Sequence, residues 1–89
     1  MEISKKTAPI VQLLGTSYMP EPYIDESGFA DGEGTIYYGW APLGVAETDN
    51  GWRLMRKTVA DGITKCEYPE GSMDFKFNWD DRASYNYGR

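Results

Sequence analysis

The chain has 89 residues, which is enough for one small domain with a thin core. Its formal net charge of −5 argues against nucleic acid or an anionic membrane as the main partner, because both attract basic surfaces. Histidine is absent and Cys66 is the only cysteine, so the chain lacks the most common general base and can form neither an intrachain disulfide nor a cysteine-based zinc site.

Residues 1–24 are predicted to form an extended N-terminal arm. Pro9, Pro20 and Pro22 interrupt it, and proline lacks the N–H that a helix interior or a central strand needs. One short strand is expected at residues 10–14. Two interpretations of the arm remain open, since it either folds back on the domain or docks on a neighbouring subunit. In the second case the predicted contact residues are Tyr18, Met19, Tyr23 and Ile24.

The sequence contains no run of about 18 apolar residues, the length that a membrane-spanning helix needs. The N-terminus carries two lysines without a long apolar stretch after them, so it does not read as a secretory signal. We therefore expect synthesis in the cytoplasm.

Residues 25–34 are predicted to be an acidic, turn-rich loop, because three glycines fall within seven residues. The spacing of its carboxylates does not fit an EF-hand loop, and its glycines are not followed by the Gly-Lys-Ser/Thr of a phosphate-binding loop. We expect a solvated loop, without a metal or a cofactor.

Residues 25–89 are predicted to form a small all-β domain, a sandwich or partly open barrel of about five or six short strands. Runs rich in β-branched and aromatic residues predict strands at residues 35–41, 52–59 and 63–68. The dipeptide Asp61-Gly62 predicts a tight hairpin turn, and the broken alternation at residues 55–58 predicts a bulge. Residues 74–79 fit either a strand or a helical turn, and residues 85–87 fit a last edge strand.

The predicted core is aromatic, since a few large rings can fill a small domain. Gly39 lies within a strand pattern and is expected to allow close approach by Trp52 or Trp79. Cys66 is expected to be a small, partly buried apolar residue. The expected core residues are Ile36, Tyr38, Trp40, Trp52, Leu54, Phe75 and Trp79.

The run Asp80-Asp81-Arg82 has two interpretations, a catalytic carboxylate pair or a structural corner. Neighbouring residues on a strand point to opposite faces, which disfavours an acid–base pair. The structural interpretation has one Asp capping the next turn and Arg82 holding a carboxylate or carbonyls. Ser84 has no histidine in this chain to serve as its base. No catalytic residue is predicted.

An ordered series of motifs runs from about residue 36 to residue 88. The motifs are Tyr37-Tyr38-Gly39-Trp40-Ala41-Pro42-Leu43-Gly44, Trp52-Arg53-Leu54, Tyr68-Pro69-Glu70-Gly71, Phe75, Trp79-Asp80-Asp81-Arg82-Ala83-Ser84 and Tyr87-Gly88. This series resembles a family of short virion-associated structural proteins of tailed bacteriophages. It is specific as a whole, although each part is weak alone. It departs from the family in having Pro69-Glu70 where Ala-Asp is more usual, and the first 30 or so residues match nothing in it.

The resemblance implies a virion component without catalysis, made in the host cytoplasm and present in many copies. Its partners would be capsid or neck and tail subunits, which it would stabilise or bridge. Two alternatives stay open. Exposed aromatic residues would favour a glycan-binding domain on the particle surface, and the acidic charge would suit a soluble inhibitor of a host defence protein.

Overall fold

The computed structural model describes residues 21–89, and these residues form an all-β domain without helices. Each of its five strands pairs antiparallel with the next one along the chain, giving a single meandering sheet. The prediction of an all-β domain with about five short strands is therefore confirmed. The strands are β1 (Tyr23–Ala30), β2 (Glu33–Trp40), β3 (Arg53–Ala60), β4 (Ile63–Pro69) and β5 (Tyr87–Gly88).

Two tight turns connect the longer strands. Asp61 and Gly62 have φ angles of 53° and 77°, and this pair joins β3 to β4 as predicted. Asp31 and Gly32 have φ angles of 56° and 81° and join β1 to β2 in the same way. Two consecutive positive φ angles are the mark of the two-residue hairpin turn that matches strand twist.

The predicted acidic loop at residues 25–34 is wrong, because β1 and the start of β2 occupy most of it. Its glycines serve the pairing of these strands. A Cβ atom on Gly34 would collide with the backbone of Gly28 on the opposite strand. Glycine therefore marks a close approach of two strands here, and only Gly32 belongs to a turn.

The predicted bulge at residues 55–58 is also wrong. The pairing of β2 with β3 runs without interruption from Gly34 opposite Val59 to Trp40 opposite Arg53. The irregularity lies in β1 instead, between Asp25 and Gly28. A bulge of this kind is common at sheet edges, where an extra residue disturbs only one ladder.

The pairing register assigns the side chains to two faces, since directly opposite residues point to the same side of a sheet. The face that carries Gly39, Leu54 and Arg56 is here named the covered face, and the face that carries Tyr38, Trp40 and Arg53 is named the aromatic face. An irregular segment, residues 70–86, packs on the covered face in place of a second sheet.

The hydrophobic core lies between the covered face and this irregular segment. Trp52 and Phe77 exchange two backbone hydrogen bonds, of 2.8 and 3.0 Å, which fix the segment against the start of β3. Trp52, Leu54 and Trp79 are buried, as predicted. The complete buried cluster is Ala41, Trp52, Leu54, Phe77 and Trp79.

Gly39 allows two tryptophan rings to approach β2 closely. A Cβ atom at this position would be 2.5 Å from Cε3 of Trp79 and 3.0 Å from Cε3 of Trp52. The close approach predicted for Gly39 is confirmed, and it involves both rings.

The first strand overlaps the end of the predicted arm. β1 begins at Tyr23, so the last two residues assigned to the arm belong to the sheet. Tyr18, Met19 and the strand predicted at residues 10–14 lie outside the described residues. Between residues 21 and 89, no helix is long and apolar enough to cross a membrane.

Candidate docking face

The aromatic face carries large side chains that the irregular segment leaves uncovered. Ile24 is 52% exposed, and Tyr38 and Trp40 are half-buried. The rings of Tyr38 and Trp40 lie nearly parallel, with 14° between their planes and 6.1 Å between their centroids. Rigid aromatic side chains held in this way need little reordering to bind a partner.

Part of the predicted core therefore lies elsewhere. Tyr38 and Trp40 share a face with Ile36, as the alternation predicts, but this is the aromatic face and not the covered one. Ile36 is buried, whereas Phe75 is 45% exposed, so the core role predicted for Phe75 is wrong. Alternation along a strand shows which residues share a face, but it does not show which face another segment covers.

A groove of about 300 Å³ opens on the aromatic face. Trp40 comes from β2, Arg53 from the start of β3 and Tyr68 from the end of β4, and Phe75 approaches from the irregular segment. The strands therefore fix three of the four walls. The volume is at the lower end of the range for ligand pockets and suits one side chain or one sugar ring.

Arg53 gives the groove a positive charge. Its Cζ atom is 5.9 Å from the ring centroids of both Trp40 and Phe75, within range for cation–π attraction. Its Nε atom is buried and, like that of Arg56, finds no hydrogen-bond acceptor among residues 21–89. A guanidinium group beside aromatic rings can receive a carboxylate through two parallel hydrogen bonds.

The other half-buried arginines are committed to partners within the domain. Arg56 is 2.8 Å from a carboxylate oxygen of Glu67, and Arg82 is 3.0 Å from one of Asp25. Within the described part of the chain, no carboxylate lies within salt-bridge distance of Arg53. Arg53 thus differs from Arg56 and Arg82 in having no carboxylate partner among residues 21–89.

Arg82 joins distant parts of the covered face, which agrees with the fold-organising role predicted for it. Its guanidinium group lies 4.4 Å from the Trp79 ring centroid and also donates to the Trp79 carbonyl oxygen at 3.0 Å. Tyr87 donates its hydroxyl to the Arg82 carbonyl oxygen at 2.7 Å, and burial raises the pKa of this hydroxyl. The Arg82–Asp25 pair connects residues 57 positions apart.

The pKa of Asp25 is held below its ordinary value. Hydrogen bonds from the Ser27 hydroxyl and backbone N–H are the main cause, and Arg82 adds a smaller contribution. These bonds favour the charged carboxylate. They lie at the bulge of β1, so one anionic group stabilises both the bulge and the Arg82 contact.

The two aspartates beside Arg82 take other roles than predicted. The turn is capped by Asn78, whose Oδ1 accepts the backbone N–H of Asp81 at 2.8 Å. Asp81 instead accepts the Asn78 side-chain amide at 3.0 Å, and Asp80 is exposed. Ser84 donates its hydroxyl to the Asp81 carbonyl oxygen. The cap was therefore assigned to the wrong residue, although the structural interpretation of the corner agrees with these contacts.

The predicted contact residues of β1 lie on different faces. Tyr23 is 45% exposed, yet its ring packs on the core, 4.9 Å from the Trp52 ring centroid and 5.5 Å from that of Trp79. Ile24 lies on the aromatic face, in register with Tyr38. Arg53 and Tyr68 were not predicted as site residues, because only the pairing register brings them beside Trp40.

Cys66 is exposed, so the partly buried position expected for it is wrong. No group of three or more potential metal-ligating side chains occurs within residues 21–89. Neither a family model, nor a curated protein, nor a solved structure matches this chain.

Proposed function

We propose that this protein is a non-enzymatic structural component of a tailed-phage particle, which docks on capsid or neck and tail subunits through its aromatic face. Two observations support the proposal, the motif resemblance over residues 36–88 and the open groove between Trp40, Arg53, Tyr68 and Phe75. The groove carries the argument, because it is a concave site with apolar walls and a guanidinium group that has no carboxylate partner among residues 21–89.

The residue types at the groove are those that dominate protein interfaces. Trp, Tyr and Arg are enriched among residues that contribute most to binding, since they bury a large area and retain a polar group. Burial of apolar area contributes about 25 cal/mol per Å² before the costs of association. Many copies on one particle would add avidity to a modest single contact.

The partner is expected to offer an apolar side chain and a nearby carboxylate. The side chain would lie between the rings of Trp40 and Phe75, and the carboxylate would accept hydrogen bonds from Arg53. The partner does not need a net charge opposite to that of this acidic chain, because the electrostatic attraction is local to the groove.

The first experiment is quantitative mass spectrometry of purified, washed particles of the encoding phage, calibrated against the major capsid protein. A fixed copy number per particle is expected. A number close to that of the major capsid protein indicates the shell, whereas a total of only five, six or twelve copies per particle indicates the neck or tail. Complete absence from washed particles contradicts the proposal and favours a soluble inhibitor.

Variants then test whether the groove makes the contact. Trp40→Ala and Arg53→Glu should reduce incorporation into particles by at least about tenfold, in keeping with the loss of an interface anchor. Leu43→Ala is the matched control, because Leu43 is 77% exposed and does not line the groove. Equal incorporation of all three variants would show that docking uses another surface.

A glycan-binding role is the second candidate, because the same groove holds aromatic rings on which a sugar ring can stack. Arg53 would then bind the carboxylate of an acidic sugar. Titration with an oligosaccharide of uronic acids, followed by tryptophan fluorescence, separates the two functions. Saturable quenching that is lost in Trp40→Ala supports the glycan, and unchanged fluorescence at millimolar sugar excludes it.

A further inference from the structure

The outer edge of β4 is an open strand edge. β4 pairs with β3 along residues 63–67, but it pairs with β5 only through Tyr68 and Pro69. Residues 63–67 therefore have no strand on their outer side within the described part of the chain. Residues 61–66 are all exposed.

The hairpin geometry shows which backbone groups are free at this edge. A two-residue turn places its flanking residues, Ala60 and Ile63, in a hydrogen-bonded pair, and bonded and non-bonded pairs then alternate. Lys65 and Glu67 consequently bond to β3, and the N–H and C=O groups of Thr64 and Cys66 point outward. The N–H of Glu70, just beyond β4, also points away from β3, since it donates to the Asn86 carbonyl oxygen at 2.6 Å.

The two edges of the sheet differ in regularity. The β1 edge is interrupted by the bulge between Asp25 and Gly28, where the Ser27 N–H already donates to the Asp25 carboxylate. The β4 edge has no bulge along residues 63–67. A regular, exposed edge with unpaired backbone groups is a template for the addition of another strand.

A second copy of this chain is a poor occupant. The two-fold antiparallel register that uses both Thr64 and Cys66 places Lys65 opposite Lys65 of the second copy, in a non-hydrogen-bonded pair. Cα atoms in such a pair are about 4.5 Å apart, and like charges there are destabilising. Lysine on an edge strand is a common protection against pairing between copies.

We propose that the β4 edge binds an extended segment of another protein, which adds a sixth strand and places a carboxylate opposite Lys65. Backbone hydrogen bonds to Thr64 and Cys66 supply the affinity, and the charge of Lys65 selects the partner. This contact is separate from the groove of the aromatic face, and it does not depend on the function proposed for that groove.

The test uses the ¹⁵N-labelled full chain and the peptide acetyl-Thr-Val-Glu-Val-Thr-amide as the probe. In the free protein the amide hydrogens of Thr64 and Cys66 should exchange faster than those of Lys65 and Glu67. Addition of the peptide should shift the two outward amides and slow their exchange. A peptide with Lys in place of Glu should bind about threefold to tenfold more weakly, because a cross-strand attraction is replaced by repulsion. An N-methylated form of the Glu peptide should not bind.

Matched variants locate the contact. Cys66→Pro removes one outward N–H that β3 does not use, and it should abolish binding, whereas Cys66→Ala should retain it. Lys65→Glu should reverse the preference between the two peptides, which keeps the test decisive if Cys66→Pro fails to fold. Trp40→Ala should bind the peptide like the unmodified chain, so that failure of the groove and failure of the edge are distinguishable.

Two results would overturn the proposal. If the Thr64 and Cys66 amides are already protected in the free full-length chain, its own residues cover the edge. If the Glu and Lys peptides bind equally, or the N-methylated peptide binds as well as its parent, strand addition opposite Lys65 is not the mode of contact.

Discussion

At the scale of single residues, the domain depends on a few positions whose neighbours lie far away in the chain. Gly39 is one, because two tryptophan rings occupy the space where a side chain would be. Asp25 is another, because its carboxylate accepts hydrogen bonds from Ser27 and Arg82 at the same time. The residue type at each position was evident from the sequence, but its partner depended on the fold.

Gly39→Ala is expected to lower the free energy of unfolding by about 1–3 kcal/mol, the usual cost of adding a methyl group where no space exists. The added Cβ would lie 2.5 Å from the Trp79 ring. Urea unfolding followed by tryptophan fluorescence measures the change. Gly88→Ala is the control, since its Cβ would have no neighbour within 4 Å. Equal effects of the two substitutions would contradict the packing argument.

Asp25→Asn is expected to cost about 1 kcal/mol at pH 7, because a half-buried ion pair and charged hydrogen bonds are lost. The folded-state pKa of Asp25 lies below the ordinary value of 3.8. Its stabilisation is therefore complete above pH 3.8 and is lost as the pH falls through the lower folded-state pKa. The difference in unfolding free energy between Asp25→Asn and the unmodified chain should therefore shrink as the pH falls below 3.8.

Unfolding free energies measured at pH 7 and at several points below pH 4 check this prediction. Glu26→Gln is the control at pH 7, since Glu26 is exposed and should change stability by less than about 0.5 kcal/mol. A difference for Asp25→Asn that stays constant down to the lowest pH would show that the carboxylate charge is not the source of the stabilisation.

At the scale of elements, the meander is built from local hairpins, and the irregular segment completes it. Residues 70–86 have little regular structure, yet they supply Phe77 and Trp79 to the core. Phe75, two residues before Phe77, is turned to the other side and lines the groove. One short segment therefore closes the covered face and shapes the aromatic face.

The contrast between the two phenylalanines is testable. Phe77→Ala should cost about 3–5 kcal/mol, because it removes a buried ring from the core cluster. Phe75→Ala should cost less than about 1 kcal/mol, since its ring is 45% exposed. Thermal unfolding by circular dichroism compares them. Similar losses at both positions would mean that Phe75 belongs to the core after all.

At the scale of the whole molecule, residues 21–89 form one open sheet, and the irregular segment covers one of its faces. This described part of the chain therefore carries an aromatic face and a regular strand edge at the same time. Charge at the edge is expected to limit association between copies, because Lys65 lies at its centre.

Lys65→Val is expected to increase self-association, because it removes the like-charge repulsion and adds a β-branched apolar residue at an exposed edge. Light scattering after size-exclusion chromatography, over a series of protein concentrations, measures the change in mass. Lys57→Val is the matched control, since Lys57 lies on the inner strand β3. A monomeric Lys65→Val at every concentration would show that this charge does not protect the edge.

The sequence by itself determined the β class, the Asp61-Gly62 hairpin, most of β2, β3 and β4, and the close packing at Gly39. These features depend on neighbouring residues and on the alternation along one strand, which are present in the local sequence. Glycine did not distinguish a loop from a strand, because it is common in loops and also permits the close approach of two strands. Gly28 in β1 and Gly34 in β2 are of the second kind.

Only the tertiary structure decided which face of the sheet is covered, and with it the candidate site. In the sequence, Tyr38, Trp40 and Phe75 look like core residues, because they are large and aromatic. They lie outside the buried cluster because the irregular segment covers the other face. Arg53 and Tyr68 become neighbours of Trp40 through strand pairing, and Asn78 takes the cap beside Asp81 through the local path of the chain. Each of these outcomes depends on contacts between residues distant in sequence or on the course of an irregular backbone, and neither is contained in residue type and spacing.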